Sequence, residues 1–157
     1  MQQIHSIGKL RKHVEDVIVA HLERYIFQAD VRPAMSGATV MEPIVVVHAR
    51  NAVEMNGDSY LLARNLDVGI RVRTHGVDEA NEIQPSVIID AREAHFELVN
   101  QTCLAMVQAD IVETLNEIGN EHVQFSSCYL TQDEGGIEGS SYTTTLTFEV
   151  LANPTEV

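Results

Sequence analysis

The sequence predicts a single α+β domain: a mostly antiparallel sheet with an N-terminal helix and a broken second helix packed on it. Three observations carry this prediction. Leu10, Val14, Val17, Ile18, His21, Leu22, Tyr25 and Ile26 recur at three- and four-residue spacing, which is one face of a helix over residues 7–27. Val68, Ile70, Val72 and Thr74 alternate with Asp67, Gly69, Arg71, Arg73 and His75, the period of a strand with one buried and one polar face. The same alternation returns in Val123, Phe125, Ser127 and Tyr129, and again in Tyr142, Thr144, Leu146, Phe148 and Val150, which makes the C-terminal third a hairpin. At 157 residues, with no internal repeat and no second hydrophobic unit, the chain is one domain long.

The elements follow in order. Ser6 is positioned to cap the first helix, Asp30 with Pro33 ends it, and Arg11–Glu15 and Lys12–Asp16 are (i, i+4) ion pairs on its exposed side. His21, on the apolar face, reads as a packed core histidine. Pro33, Gly37 and Pro43 mark a loop, after which the β-branched run Ile44–Arg50 reads as a strand covered on both faces. Asn56-Gly57-Asp58 supplies the positive φ of a hairpin reversal. Residues 76–89 look irregular. Asp90 with Glu93 forms a capping box that opens the second helix, whose buried face is Phe96, Val99, Cys103, Met106 and Val107. A break near Gln108, a new start at Asp110–Glu113 and Gly119 bound a short third helix. Thr131–Ser141 is too long for a tight turn and reads as a loop projecting from the sheet.

Composition excludes several classes of function. No apolar run approaches the roughly 20 residues that span a bilayer, and the N-terminus lacks the pattern of a signal peptide. Cys103 and Cys128 fit a reducing compartment with structural thiols. Ten Lys and Arg stand against 23 Asp and Glu, a net charge of −13. Residues 1–33 hold five basic and four acidic side chains, so the excess lies in residues 34–157, with five basic and nineteen acidic. Such a body repels nucleic acid, whose binding depends on Lys and Arg at the phosphates. Acidity keeps a protein soluble; it also suits a surface past which nucleic acid must slide without sticking.

Chemistry-bearing motifs are sparse. His95-Phe-Glu97 matches half of a zinc-deaminase signature, without the Pro-Cys-x-x-Cys that completes it. Glu93 and Glu97 share a helical face, a spacing that a solvated acidic stripe explains. There is no Gly-x-Ser-x-Gly elbow. Gly135-Gly-Ile-Glu-Gly139 has no lysine and is surrounded by Asp133, Glu134 and Glu138, so it is not a phosphate loop. It reads as an adaptable hairpin tip for a protein contact, with Ile137 as its apolar anchor. No cofactor and no metal are expected. The alternative is a small soluble enzyme or ligand-binding module using a carboxylate/histidine pocket.

The order of elements, with two local patterns, resembles the tail-terminator and head–tail joining (neck) proteins of long-tailed bacteriophages. The first pattern is Asn65-Leu-Asp-Val-Gly-Ile-Arg-Val-Arg73. The second runs from Glu93 to Asn153 through a broken helix and a strand to Glu134-Gly-Gly-Ile-Glu-Gly-Ser-Ser-Tyr-Thr-Thr-Thr-Leu-Thr-Phe-Glu149. The resemblance spans about residues 5–152. It implies a structural virion protein without catalytic residues, made in the host cytoplasm, that forms a homo-oligomeric ring, commonly a hexamer. Its implied partners are itself, the tail-tube protein and the head-completion or connector protein, with DNA passing through the lumen unbound and no membrane involved. The expected interface residues are Asp133, Glu134, Gly135, Gly136, Ile137 and Glu138 of the hairpin, with Arg71 and Arg73 of the alternating strand.

Overall fold

A computed structural model describes residues 7–34, 41–51, 64–76, 85–119, 123–138 and 141–154. Its elements are α1 (Ile7–Leu22), β1 (Asp30–Pro33), β2 (Ile44–Asn51), β3 (Arg64–His75), α2 (Pro85–Met106), α3 (Ile111–Gly119), β4 (Val123–Glu138) and β5 (Ser141–Pro154). The five strands form one sheet in the order β1-β2-β3-β5-β4, antiparallel throughout except for the short β1–β2 pair. The fold is therefore α+β, as the patterning predicts. β5 lies between β3 and β4, so the chain crosses from β3 to β4 through α2 and α3 before returning in the C-terminal hairpin.

All three helices lie on one face of the sheet. The core joins Leu10, Val14, Ile18 and Leu22 of α1 to Val45 and Val47 of β2. It continues through Val68, Ile70 and Val72 of β3, Leu146, Phe148 and Val150 of β5, and Leu98, Met106, Ile111 and Leu115 of α2 and α3. The opposite face carries no helix among the described residues, and there His48, Arg50 and Arg71 are exposed. This corrects the expectation that Ile44–Arg50 is covered on both faces: Ile44, Val45, Val47 and Ala49 are buried, but Val46 is only half-buried and His48 and Arg50 are exposed on the outer face.

Local competition moves several element boundaries. α1 ends at Leu22 rather than at 27, and Asp30–Pro33 becomes a parallel edge strand, which Pro33 can join because it sits at the sheet margin. α2 begins at Pro85, five residues before the capping box, since proline is well suited to a first helical turn whose N–H groups have no partner anyway. Lys12 pairs with Asp16 at 2.8 Å as expected. Glu15 instead turns toward β2 and accepts the Ala49 N–H at 2.8 Å. β1 pairs with β2 only as far as Val47, so this carboxylate satisfies an edge donor beyond the last paired residue. Ser6 and the Asn56–Asp58 reversal lie outside the described residues.

Gly119 closes α3 where it meets α1 and β4. A Cβ there would sit 2.8 Å from Val17 Cγ2 and 2.9 Å from Val123 Cγ1, and β-branched valines have little rotamer freedom with which to retreat. Gly119→Ala should lower the unfolding free energy by about 1–3 kcal/mol, the usual range for overpacking. Gly136→Ala, whose Cβ would meet nothing within 4 Å, should change it by less than about 0.5 kcal/mol. Urea unfolding of the two variants checks the pair.

Candidate functional site

α2 carries two apolar stripes, and the sheet takes the one that contains polar atoms. Its buried positions are His95, Leu98, Thr102, Ala105 and Met106. The stripe expected to face the core is rotated away from it. Met106 is buried and Val99 and Cys103 are half-buried, but Phe96 is 57% exposed and Val107 46%. The reason is polar satisfaction. His95 is buried with Nδ1 2.8 Å from Thr74 Oγ1 on β3 and Nε2 2.8 Å from Thr144 Oγ1 on β5. A neutral imidazole donates from one nitrogen and accepts at the other, and each hydroxyl can rotate to match. Thr102 Oγ1 donates to the Leu98 carbonyl at 2.8 Å. His21 of α1 donates from Nε2 to the Ala105 carbonyl at 2.7 Å, which joins the C-terminal turn of α2 to α1. His21 is thus the packed core histidine that its position predicts.

The hairpin expected as a loop is strand. Thr131–Glu138 pairs with β5 up to Glu138↔Ser141, so only residues 139–140 separate the paired ends, and those two lie outside the described residues. What lengthened the apparent loop is irregular phase. β4 carries one extra residue between Phe125 and Ser127 and another between Leu130 and Gln132. Each bulge moves the following side chains to the other face. The first brings Cys128 opposite Val150 and Leu130 opposite Phe148, on the helix side. It turns Tyr129 outward opposite Glu149, although the sequence alternation placed Ser127 and Tyr129 inward.

The phase divides the expected interface residues between two faces. Asp133, opposite Leu146, and Ile137, opposite Tyr142, lie on the helix side; Glu134, opposite Thr145, lies on the outer side. Gly135 and Gly136 leave the sheet thin between them. On the helix side they border a cavity of about 330 Å³ formed with Arg92, Phe96, Ile137, Tyr142 and the His95–Thr144 pair. On the outer side a cavity of about 370 Å³ brings Glu134 together with Arg71, Thr143 and Thr145. Arg71 thus joins the hairpin, because Thr145 is the register partner of both Arg71 and Glu134. Arg73 does not. Its Nε lies 3.2 Å from Glu42 Oε1, and Ser141 Oγ donates to the same oxygen at 2.6 Å. Of Glu138 only the backbone pairing is described.

The surface that results was missed by sequence patterning. Phe96, Leu104 and Val107 are exposed on α2 and Leu130 and Ile137 on β4, whose residues 129–137 are exposed throughout; Phe96 and Ile137 border the same cavity. β4 is also an outermost strand of the sheet, so its far edge has no strand partner among the described residues. The one available signal was that α2 has more apolar positions than a single face can bury.

In the helix-side cavity both nitrogens of the histidine are engaged, and no carboxylate among the described residues lines it. Glu93 and Glu97 are exposed on α2. No cluster of three or more His, Cys, Asp or Glu suited to a metal occurs among the described residues. Burial pushes the Cys128 thiol up to about 12, and burial followed by the nearby Asp133 charge raises that of Cys103. Among the described residues no helix is long and apolar enough to cross a membrane. No protein-family model and no curated protein matches the chain.

Burial holds the His21 and His95 imidazoles below the usual 6.5. The folded chain therefore binds these protons at lower pH than the unfolded chain does. The stabilisation is complete above 6.5 and is lost as pH falls through the lowered folded values. Tm should fall as pH is lowered from 6.5 toward about 5. His95→Gln should start from a lower Tm and fall less steeply, since one of the two groups is gone. Equal slopes in thermal unfolding would show that His95 is not held neutral.

Proposed function

We propose that the chain is a structural subunit of a bacteriophage tail, a terminator or neck protein that closes the tail tube as a ring and joins it to the head connector while DNA passes through. The observation that carries this reading is a pair of unlike, uncovered surfaces on one small subunit. One is the margin where the exposed Phe96 of α2 and Ile137 of β4 border one cavity. The other is the polar outer face of the sheet, where Arg50, Arg71 and His48 stand open. A ring needs such a pair, because a head-to-tail contact joins two different patches of the same molecule and closes by rotation. Isolated exposed apolar residues are ordinary, whereas exposed apolar side chains that meet beside a strand edge with no partner among the described residues mark an interaction site.

The charge distribution supports the same reading. A net charge of −13 opposes DNA binding, and a lumen through which DNA moves works best without adhesion. Recognition in this reading is spread over surfaces, with no reacting centre.

The wild-type chain should sediment as an oligomer at high concentration or when mixed with tail tube. Phe96→Glu and Ile137→Glu, both at exposed positions, should keep the Tm within about 2 °C of the parent. Each should weaken assembly by about tenfold or more, as expected for loss of an interface anchor. A chain that remains monomeric at every concentration and on tail tube would contradict the ring.

A further inference from the structure

Gly69 sits in the interior of the twelve-residue strand β3 with no local reason to be glycine. A glycine inside a strand usually marks a bulge, a bend or the close approach of another group. There is no bulge, since pairing runs without interruption through His48↔Gly69 on one side and Gly69↔Thr147 on the other. The backbone is not left-handed, and crowding does not forbid a side chain. A Cβ would meet Thr145 Cγ2 at 3.7 Å and the His48 carbonyl oxygen at 3.9 Å, ordinary contacts. What the missing side chain does is leave a depression of about 270 Å³ on the face of the sheet that carries no helix among the described residues.

The depression is cationic in an acidic protein. Arg50, Arg71 and His48 line it with Thr145, Val46 and Ala34. Residues 34–157 contain five Lys and Arg against nineteen Asp and Glu, and two of those five arginines meet here. Neither Arg50 nor Arg71 is in an ion pair with another described residue, in contrast to Arg73 with Glu42 and Arg32 with Asp30. Asp67, opposite Arg50 in the register, is the acidic neighbour on β3. A planar guanidinium presents paired N–H donors that match the two oxygens of a carboxylate.

We infer that this depression is a carboxylate socket that receives an Asp or Glu side chain of a second copy of this chain. Arg71 and Arg50 bind the two oxygens, the Thr145 hydroxyl donates a further hydrogen bond, and the bare Gly69 backbone lets the carboxylate descend between them. Charge complementarity selects the occupant. A second copy is acidic over most of its length, so it meets the socket with carboxylates from nearly any approach, whereas a nucleic acid would have to cross the acidic surroundings. The inference rests on the ring reading and names one side of its subunit contact.

The test is sedimentation of the full chain and of Gly69→Thr, Arg71→Glu and Arg24→Glu, with Tm measured for each. Gly69→Thr fills the depression without altering charge and places a strand-favouring residue in β3, so it should fold at least as stably as the parent. It should weaken self-association by about tenfold or more, and Arg71→Glu should do the same. Arg24→Glu, an exposed charge on the turn after α1, should associate like the parent. If Gly69→Thr and Arg71→Glu both associate like the parent, this inference fails and the ring reading stands. A parent chain that never self-associates, alone or on tail tube, overturns both. Duplex DNA binding that needs Arg71 would overturn the choice of occupant.

Discussion

The bridge from His95 to Thr74 and Thr144 decides which side of α2 faces the sheet. Two hydrogen bonds to buried hydroxyls contribute only about 0.5–1.5 kcal/mol each in net terms. The asymmetry matters more: once the imidazole is buried, losing either partner leaves an unsatisfied polar atom at a cost of about 1–3 kcal/mol. The arrangement is therefore close to all-or-none. With His95 inward, Leu98, Thr102, Ala105 and Met106 follow it at helical spacing, and Phe96, Leu104 and Val107 must point elsewhere. The exposed apolar margin is a geometric consequence of that polar clamp. His21, bonded to the Ala105 carbonyl, fixes the other end of the same helix.

β4 completes the margin through its two bulges. Without the first, Tyr129 would lie under the helices and Cys128 would face solvent; with it, Cys128 packs against the core and Leu130 reaches the helix side. The second restores the phase so that Ile137 faces Tyr142 and stands beside Phe96. Bulges of this kind twist an edge strand and interrupt its hydrogen-bond row, which protects against indiscriminate strand pairing while leaving specific contacts open. Asp133 and Glu134 add charge on opposite faces of the same segment. A hairpin built this way can be both exposed and ordered, which a projecting loop cannot.

Much of the fold was legible in the sequence because burial there follows a simple period. β3 alternates without a slip, β5 does so from Thr144 to Ala152, and α1 buries Leu10, Val14, Val17, Ile18, His21 and Leu22 as their spacing demands. The failures occur where two periods or two polar demands compete. α2 offers two apolar stripes, and hydropathy alone favours the one containing Phe96 and Val107 over one containing a histidine and a threonine. β4 resets its phase twice, and a period-two reading cannot see an inserted residue. Gly135 and Gly136 looked like a loop because glycine disfavours strands, yet the pairing of their neighbours with Tyr142–Thr145 holds them in one. The grouping of Arg71 with the hairpin came only from the resemblance; its physical basis is register, since the two are distant in sequence and meet through Thr145.

In the proposed ring the subunit meets its neighbour at the margin of α2 and β4 that the histidine clamp leaves open. Hydrogen–deuterium exchange of the dilute and the assembled chain measures this most directly. Amides on the unpaired edge of β4 between Cys128 and Glu138 should exchange rapidly in the dilute chain and become protected on assembly. Those of α2 around Phe96–Val107 should slow as well, and α1 should be unchanged. Protection confined to α1 and β1, with β4 exchanging equally in both states, would contradict the account.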